Sequence, residues 1–371
     1  MRIDDALGVG RQSPPSPVTF TRPALAALIL AGLAVNLAIV VPPALKTGLG
    51  GGDYLSFYAG GRLAFSPDLY NPAAVAALQS DLGWQTRNLP FMRLPAYAAL
   101  HWPLSRLPYP VALGVWLAAN LAALAACIWL APAALRPTAA LVLAWLLPAY
   151  VALQQAQDTP LILLFLTAAL LLLGKSDLAA GALLALCAFK IHLFLGLAVF
   201  VLRRGSKALW MGGAATGALL ALASFATQGP DWPRRLLAAA ATPAGNRLDN
   251  MPAFPALWHD QPFLIAAAAA AALALAWIAA GHRSRPAALA LSLAPGLLVS
   301  PHIYLQDWLL LAPALTLALA NRSRIALAVL APPIAVLALL GLRIVPMAAL
   351  ALFALAAARE AWASRREPMI G

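Results

Sequence analysis

Side chains capable of acid–base chemistry are few in this chain of 371 residues, and they are unevenly placed. Only 13 residues are acidic and 5 are histidines. Asp53, Asp158 and His302 are among those in the segments between long apolar blocks. No Cys pair or His-x-x-x-His spacing of the kind that binds metals occurs. Because carboxylates and imidazoles transfer protons, this set indicates acid–base chemistry that needs no metal.

Asp53 is the most informative of these residues, since it follows three glycines in GGGDYLSFYAGGRLAF, residues 50–65. The glycines free the backbone for a tight turn, and an aspartate there can cap a short helix, predicted from Tyr54 to Phe65. Aromatic residues recur at helical spacing, so this helix is predicted to lie along a membrane interface. A second short helix is predicted from Asn71 through Ser80. Asp53 is then either a simple helix cap or a reactive carboxylate.

A cation stands inside an apolar stretch further along the chain. Lys190 and His192 interrupt the segment 176–202, whose other residues are typical of a membrane-embedded helix. An ionisable residue at such a place is a functional candidate by default. The alternatives are a lysine that extends to the interface and a histidine with a structural role there.

The elements that position these residues are apolar. The AVILMFWYC class makes up 63% of the chain and charged residues only 10%, against about 25% in soluble domains. Apolar blocks of about 17–25 residues match the thickness of a bilayer. This composition excludes a soluble enzyme and a disordered chain, and it predicts an all-α polytopic membrane protein. The net charge of +12 marks orientation in the bilayer, so we expect no nucleic-acid partner.

The basic residues predict the topology. With the N-terminus in the cytoplasm, those of the short loops share the cytoplasmic side only if 176–202 crosses outward and returns as two short helices, rather than as one tilted helix. About 10–12 transmembrane helices result. The predicted organisation is a disordered cytoplasmic tail (1–22), one membrane domain (23–362) with outer loops 46–110 and 228–261, and a second tail (363–371). The acidic residues then concentrate on the outer face, as in an enzyme acting at the outer leaflet.

The first loop also resembles a known family. Its residues GGDYLSFYAGGRLAF and DLYNP (51–65 and 68–72) are similar to the opening motif of glycosyltransferase family 87, also called DUF2029. Further segments resemble that family in the expected order: FMRLPAYAALHWPLSRLP (91–108), QQAQDTPLILLFLTAALLLL (154–173), GALLALCAFKIHLFLGLAVFVLRR (181–204) and SPHIYLQDWLL (300–310). The chain departs from the family pattern at Arg93-Leu94-Pro95 (Tyr-Pro-Pro), Ala156-Gln157 (Gly-Gln) and Lys190-Ile191 (Lys-Pro).

The resemblance implies a GT-C fold and the transfer of a hexose, typically mannose, from a polyprenyl-phosphate sugar to an acceptor hydroxyl. It implies Asp53 as the general base and Lys190 as the cation at the donor phosphate. Additional candidates for substrate binding complete the predicted site: His192, His302, Arg62, Tyr58, Gln157 and Asp158. No cofactor is expected, because the lipid-linked donor is a co-substrate. The expected location is the bacterial inner membrane, with the site facing the periplasm or cell exterior.

Two interpretations compete for the roles of these residues. Arg62 could bind a phosphate or form a structural ion pair with Asp68. Tyr58 could contact a sugar or anchor the loop at the membrane interface. At the level of function, the rival is a lipid-linked-sugar flippase or a small-molecule transporter. Carriers also bury charges in broken helices, but no repeat between the two halves is visible here.

Overall fold

A computed structural model describes residues 21–47, 52–84, 89–241 and 251–366. Residues 1–20, most of the tail for which disorder is predicted, and residues 367–371 of the second tail lie outside this part of the chain. The described residues contain helices and no β-strand, which confirms the all-α class.

The α-helices are numbered in chain order. Those of the first half are α1 (Arg22–Thr47), α2 (Tyr54–Arg62), α3 (Pro72–Asp81), α4 (Pro95–His101), α5 (Tyr109–Leu130), α6 (Arg136–Trp145), α7 (Leu147–Gln154), α8 (Thr159–Leu172) and α9 (Asp177–Leu186). Those of the second half are α10 (Phe194–Arg204), α11 (Lys207–Gln228), α12 (Trp232–Ala240), α13 (Phe254–Leu257), α14 (Pro262–Ala279), α15 (Arg285–Leu298), α16 (Ala312–Ala320), α17 (Arg324–Leu330), α18 (Pro332–Leu339) and α19 (Ile344–Arg366). Short 3₁₀ segments cover Pro67–Tyr70, Leu104–Arg106, Cys187–Leu193 and Leu305–Leu311.

Five helices of the described chain, α1, α5, α11, α14 and α19, are long and apolar enough to cross a bilayer. The pair α6 and α7, bent by 62°, forms a sixth such segment if it is one broken span. Thr159–Leu172, Arg285–Leu298 and Leu305–Ala320 are apolar but shorter. The polytopic membrane class is therefore confirmed, and the total of 10–12 crossings stays a prediction.

The segment 176–202 forms a hairpin, as the charge pattern predicts. Helix α9 ends at Leu186, and α10 begins at Phe194 after a 3₁₀ stretch in which Lys190 leaves helical geometry (φ −116°, ψ 79°). The Ser206 hydroxyl, just after α10, donates a hydrogen bond to the Asp177 carboxylate at the start of α9. The chain thus returns to the end of the bundle where it started, with Lys190 at the tip of the hairpin.

Helix α15 lies at the centre of the bundle. Every residue from Pro286 to Leu298 is buried, as expected of a helix that is apolar on all faces. It packs against α10, where a Cβ added to Gly196 would lie 2.8 Å from the Ser292 carbonyl oxygen. Glycine at this contact lets the two backbones approach closely, a common device between membrane helices. Helices α10 and α15 lie side by side and run in opposite directions, so the end of α10 meets the start of α15. Both helices extend between the same two ends of the molecule.

Two short helices occur in the first loop, close to where they are predicted. Helix α2 ends at Arg62, three residues before the predicted boundary, and α3 covers Pro72–Asp81. The prediction that the aromatic residues of α2 lie in the lipid interface is wrong for most of them. Tyr54, Phe57 and Tyr58 are buried within the protein, and only Phe65, beyond the helix, is exposed. The helix packs against α4, so protein side chains cover its aromatic face.

Candidate active site

The backbone of the loop before α2 is fixed against the loop between α7 and α8. The Asp53 amide donates a hydrogen bond to the Gln155 carbonyl over 2.8 Å. A Cβ added to Gly52 would lie 2.5 Å from the same carbonyl oxygen, so only glycine permits this approach. Gly52 therefore places Asp53 directly beside residues that are about 100 positions away in sequence.

The Asp53 carboxylate does not cap helix α2. The residue occupies the cap position but makes no side-chain hydrogen bond to the helix, so the interpretation of Asp53 as a simple cap is wrong. Its Oδ2 instead accepts a hydrogen bond from the Gln157 amide. The carboxylate also lies within the electrostatic reach of Lys190 and Arg93. Burial raises the pKa of Asp53, and these two cations offset part of that rise.

The loop that presents Gln157 is held in a strained shape. Ala156 has a φ of 48°, a left-handed conformation that costs an L-residue about 1–2 kcal/mol. Two side chains of α5 hold the loop there: Trp116 donates to the Ala156 carbonyl over 2.8 Å and Asn120 to the Gln157 carbonyl over 2.9 Å. Strain of this kind concentrates at functional sites. It also explains why the family pattern has glycine at this position.

A buried group of charges lies next to Asp53, at the tip of the α9–α10 hairpin. The Lys190 ammonium donates to the Thr159 hydroxyl over 2.7 Å and forms ion pairs with Asp158, at 3.3 Å, and with Asp307. Asp158 in turn pairs with Arg93, whose Nε lies 3.2 Å from Oδ2. We call Arg93, Asp158, Lys190 and Asp307 the charge network. Its two cations and two carboxylates compensate each other, as burial requires.

The position of Lys190 bears on its predicted contact with phosphate. Its side chain is only 1% exposed, and two carboxylates and a hydroxyl already surround its ammonium group. In this arrangement Lys190 holds the carboxylates of Asp158 and Asp307 in place through ion pairs. An approaching phosphate would have to displace one of them.

Arg93 is the functional candidate that the sequence interpretation missed. Its side chain is 11% exposed, more than that of Lys190, and its guanidinium lies 5.4 Å from the centre of the Phe57 ring. The available signal was an arginine within an aromatic, proline-bearing stretch, at a position where the family pattern has tyrosine. Thr159 was also missed, because it begins an otherwise apolar segment, and Asp307 was interpreted from the sequence mainly as a buried hydrogen-bond partner.

Buried aromatic side chains pack together next to the site. The His101 ring lies 4.6 Å from both the Tyr97 and Trp116 rings, and Tyr97 lies 5.3 Å from Phe57. Burial lowers the pKa of His101 to about 4, so its ring is neutral at physiological pH. These side chains are buried within the protein, and they form an uncharged aromatic group beside Asp158 and Arg93.

Other predicted residues lie in separate places. The Tyr58 hydroxyl donates to the Leu107 carbonyl over 2.8 Å and its ring is buried. Arg62 is exposed at the far end of α2 and donates to the Ser105 carbonyl over 3.4 Å. Its predicted alternative partner, Asp68, accepts from Asn71 instead. These contacts favour structural roles for both residues.

His302 and His192 are the two histidines among the predicted site residues. His302 is partly buried, and its ring packs edge-on against Tyr304 at 5.1 Å. The Tyr304 amide donates to Asp307 Oδ2 over 3.1 Å, so the 300–304 loop is connected to the charge network through its backbone. The side chain of His192 lies outside the described part of the structure.

An apolar cleft occurs elsewhere, between α5, α6, α8, α15 and α16. Its lining includes Ala131, Pro132, Leu171 and Pro286, which lie at the end of the bundle away from Asp53. Only threonines contribute polar side chains to it. The cleft is therefore separate from the candidate site. Among the described residues, no group of three or more His, Cys, Asp or Glu side chains could hold a metal ion.

The fold and the site define a polytopic helical membrane protein with a partly buried carboxylate beside a compensated charge network. The family model of glycosyltransferase family 87 matches residues 94–301. Since this is more than half of the chain, the protein belongs to that family, and it is a membrane glycosyltransferase. No curated protein and no solved structure gives a significant match. The matched range contains Asp158 and Lys190 and begins after Asp53 and Arg93.

Proposed function

We propose that the protein transfers a hexose, with mannose as the expected sugar, from a polyprenyl-phosphate sugar to an acceptor hydroxyl. The supporting observation is the arrangement around Asp53: a partly exposed carboxylate, oriented by Gln157 and close to Arg93 and Lys190. A base and a phosphate-binding cation are the groups that such a reaction requires.

In the proposed step the acceptor oxygen attacks the anomeric carbon of the donor sugar. Asp53 takes the proton of the acceptor hydroxyl, and the bond between the anomeric carbon and the phosphate oxygen breaks. The electron pair leaves with the polyprenyl phosphate. The raised pKa of Asp53 supports this role, because a carboxylate with a pKa nearer to neutrality is a stronger base.

Arg93 is the better candidate for contact with the leaving phosphate. Its guanidinium is planar and offers several donors, which suits phosphate oxygens, and Asp158 occupies only part of it through Nε and Nη2. Lys190 then acts by positioning: it holds Asp158, and Asp158 orients Arg93. This assignment modifies the sequence-based expectation, in which Lys190 itself meets the phosphate.

The donor lipid is expected to enter from the bilayer, at the outer leaflet. The support for this orientation is the concentration of arginines at the opposite end of the bundle, which the positive-inside rule assigns to the cytoplasm. In a bacterium, that places the site on the periplasmic side of the inner membrane.

The test uses the purified protein in nanodiscs with polyprenyl-phosphate-mannose and a panel of hydroxyl acceptors, with release of polyprenyl phosphate as the readout. Asp53→Asn keeps the shape of the side chain and removes its basicity. It should lower turnover by roughly 10²-fold or more while donor binding is retained. The matched control is Asp68→Asn, an exposed aspartate of the same loop, which should keep the wild-type rate.

Two results would contradict the proposal. One is an unchanged transfer rate in Asp53→Asn. The other is movement of the intact lipid-linked sugar across proteoliposome membranes without release of polyprenyl phosphate, which would favour the flippase alternative.

A further inference from the structure

A second group of charged residues lies at the end of the bundle away from Asp53. It combines the end of α10, the turn between α14 and α15, and the end of α19, which meet through side-chain contacts. We call this set the arginine cluster: Arg203, Arg204, Arg283, Arg285 and Arg365. None of these residues has a role in the proposed transfer reaction.

Backbone carbonyl groups hold the arginine cluster in place. Arg365 donates to the Gly281 and Ile278 carbonyls over 2.8 and 2.7 Å, and a Cβ at Gly281 would overlap its guanidinium. Arg204 donates to the Arg283 carbonyl over 3.1 Å, and Arg285 to the Arg204 carbonyl over 3.3 Å. Carbonyl oxygens orient a guanidinium but do not neutralise it, so these contacts leave the positive charge in place.

The cluster is poor in compensating charge. Among the described residues, its carboxylate partner is Asp177, whose two oxygens accept hydrogen bonds from Arg285 at 3.0 and 2.8 Å. Arg203 and Arg204 instead lie close enough to Arg365 to experience its charge. Five guanidiniums and one carboxylate leave a formal excess of four positive charges. Such a concentration of positive charge in one place favours an anion with several oxygen acceptors.

The surroundings of the cluster indicate where that anion comes from. The Arg203 guanidinium lies 4.8 Å from the centre of the Trp277 ring, and Trp277 is 49% exposed. Trp362, beside Arg365, is exposed to the same extent. Exposed tryptophans at helix ends mark the headgroup level of a bilayer. The cluster is therefore placed at the depth of the lipid phosphates.

We propose that the arginine cluster binds the phosphate headgroup of an anionic membrane lipid, in the leaflet opposite the candidate active site. Basic pockets between membrane helices recognise such headgroups by charge and by paired hydrogen bonds. Arg283, which is exposed, and Arg203 are the residues best placed to reach the lipid. The partly buried Arg204 and Arg285 add to the positive electrostatic potential at this place.

The experiment measures binding of phosphatidylglycerol to the full-length protein by native mass spectrometry, from micelles that contain phosphatidylcholine in excess. The double variant Arg203→Gln/Arg283→Gln should bind phosphatidylglycerol roughly tenfold or more weakly than wild type. The matched control, Arg136→Gln/Arg324→Gln, removes the same charge from two exposed arginines elsewhere and should bind like wild type. Inorganic phosphate at millimolar concentration should not displace the lipid.

Each contrary outcome has a defined meaning. Equal loss of binding in the two double variants would show general electrostatic attraction and overturn the site. Displacement by inorganic phosphate would overturn the assignment to a lipid. If the double variant does not fold, Arg283→Gln alone replaces it, with Arg324→Gln as its control, and unchanged binding there refutes the proposal. The outcome does not depend on glycosyl transfer, because the readout is lipid binding.

Discussion

The two ends of the α10–α15 pair carry charge in opposite ways. At one end, Arg93 and Lys190 are paired with Asp158 and Asp307 inside the protein. At the other end, the arginine cluster has Asp177 as its carboxylate and otherwise contacts backbone carbonyls. The same helices thus connect a balanced, buried group of charges to an unbalanced group near the surface.

This difference follows from where each group meets water. A charge in the protein interior must be paired, because an isolated buried ion costs several kcal/mol. A charge at the headgroup level keeps its hydration or meets an external anion, and it needs no internal partner. The charge network is therefore expected to contribute to stability through its own pairs, and the arginine cluster to act on molecules outside the protein.

The largest expected effect is at the centre of the charge network. Lys190→Met removes the cation shared by Asp158 and Asp307 and leaves two buried carboxylates with only Arg93 between them. Breaking a buried ion pair in this way typically costs about 3–5 kcal/mol. The free energy of unfolding, measured by denaturant titration in mixed micelles, should fall by that amount.

The control for this prediction is Lys175→Met, which removes an exposed lysine and should leave the free energy of unfolding nearly unchanged. Adding Asp307→Leu to Lys190→Met should restore part of the loss, because one of the two buried carboxylates that lost the lysine is removed. Equal stability of Lys190→Met and wild type would mean that the network is not the balanced unit described above.

Local features of the fold were predictable from the sequence. Glycines and an aspartate mark the start of α2, and asparagine with proline marks the start of α3. The asymmetry of basic residues was sufficient to predict the hairpin with Lys190 at its tip. These features depend on neighbouring residues or on the sum of charges. The burial of the α2 aromatics was not predictable in this way, because interfacial and buried faces have the same helical spacing.

The partners within the site were less accessible to sequence reasoning. Asp53, Gln157, Asp158 and Lys190 were each identified as candidates, but the contacts between them join distant parts of the chain. Lys190 and Asp307, for instance, are 117 positions apart. No local pattern indicates such a pair, and only the packing of the 187–193 and 305–311 segments against α8 brings it together. Arg93 was missed for the same reason, since its meaning depends on Asp158.

The next largest effect concerns His101, whose imidazole ring is kept neutral by burial. The pKa of His101 is lowered to about 4, from an ordinary value of 6.5. Between these values the unfolded chain takes up a proton that the folded protein does not. The free energy of unfolding should therefore decrease as the pH falls from 6.5 to 4, by up to roughly 3 kcal/mol.

His101→Phe removes this titration while retaining an aromatic ring, so the contribution of residue 101 to the pH dependence should disappear. His259→Gln serves as the reference, because His259 is an exposed histidine beside Asp260. The prediction fails if His101→Phe shows the same decrease in stability between pH 6.5 and 4 as the wild-type protein.

A smaller effect is expected at Ala156, whose backbone conformation is strained. Ala156→Gly relieves the left-handed conformation with its φ of 48° and should raise the free energy of unfolding by about 1 kcal/mol. Ala152→Gly, in the regular helix α7, should lower it by a similar amount, because glycine weakens a helix interior. Opposite signs in the two variants are the diagnostic result, and a loss of stability in both would refute the assignment of strain.

The smallest effect is expected at the arginine cluster. Arg283 is exposed, and its side chain donates one long hydrogen bond, of 3.4 Å, to the Arg365 carbonyl. Arg283→Gln removes that bond and also relieves repulsion from neighbouring guanidiniums, so the two changes offset each other. In zwitterionic micelles the free energy of unfolding should change by less than about 0.5 kcal/mol. With phosphatidylglycerol added, the wild-type protein should gain more stability than the variant, because a ligand of the folded state stabilises it by mass action. A large loss in zwitterionic micelles would show that the cluster, like the charge network, stabilises the protein from within, and the contrast between the two ends would no longer hold.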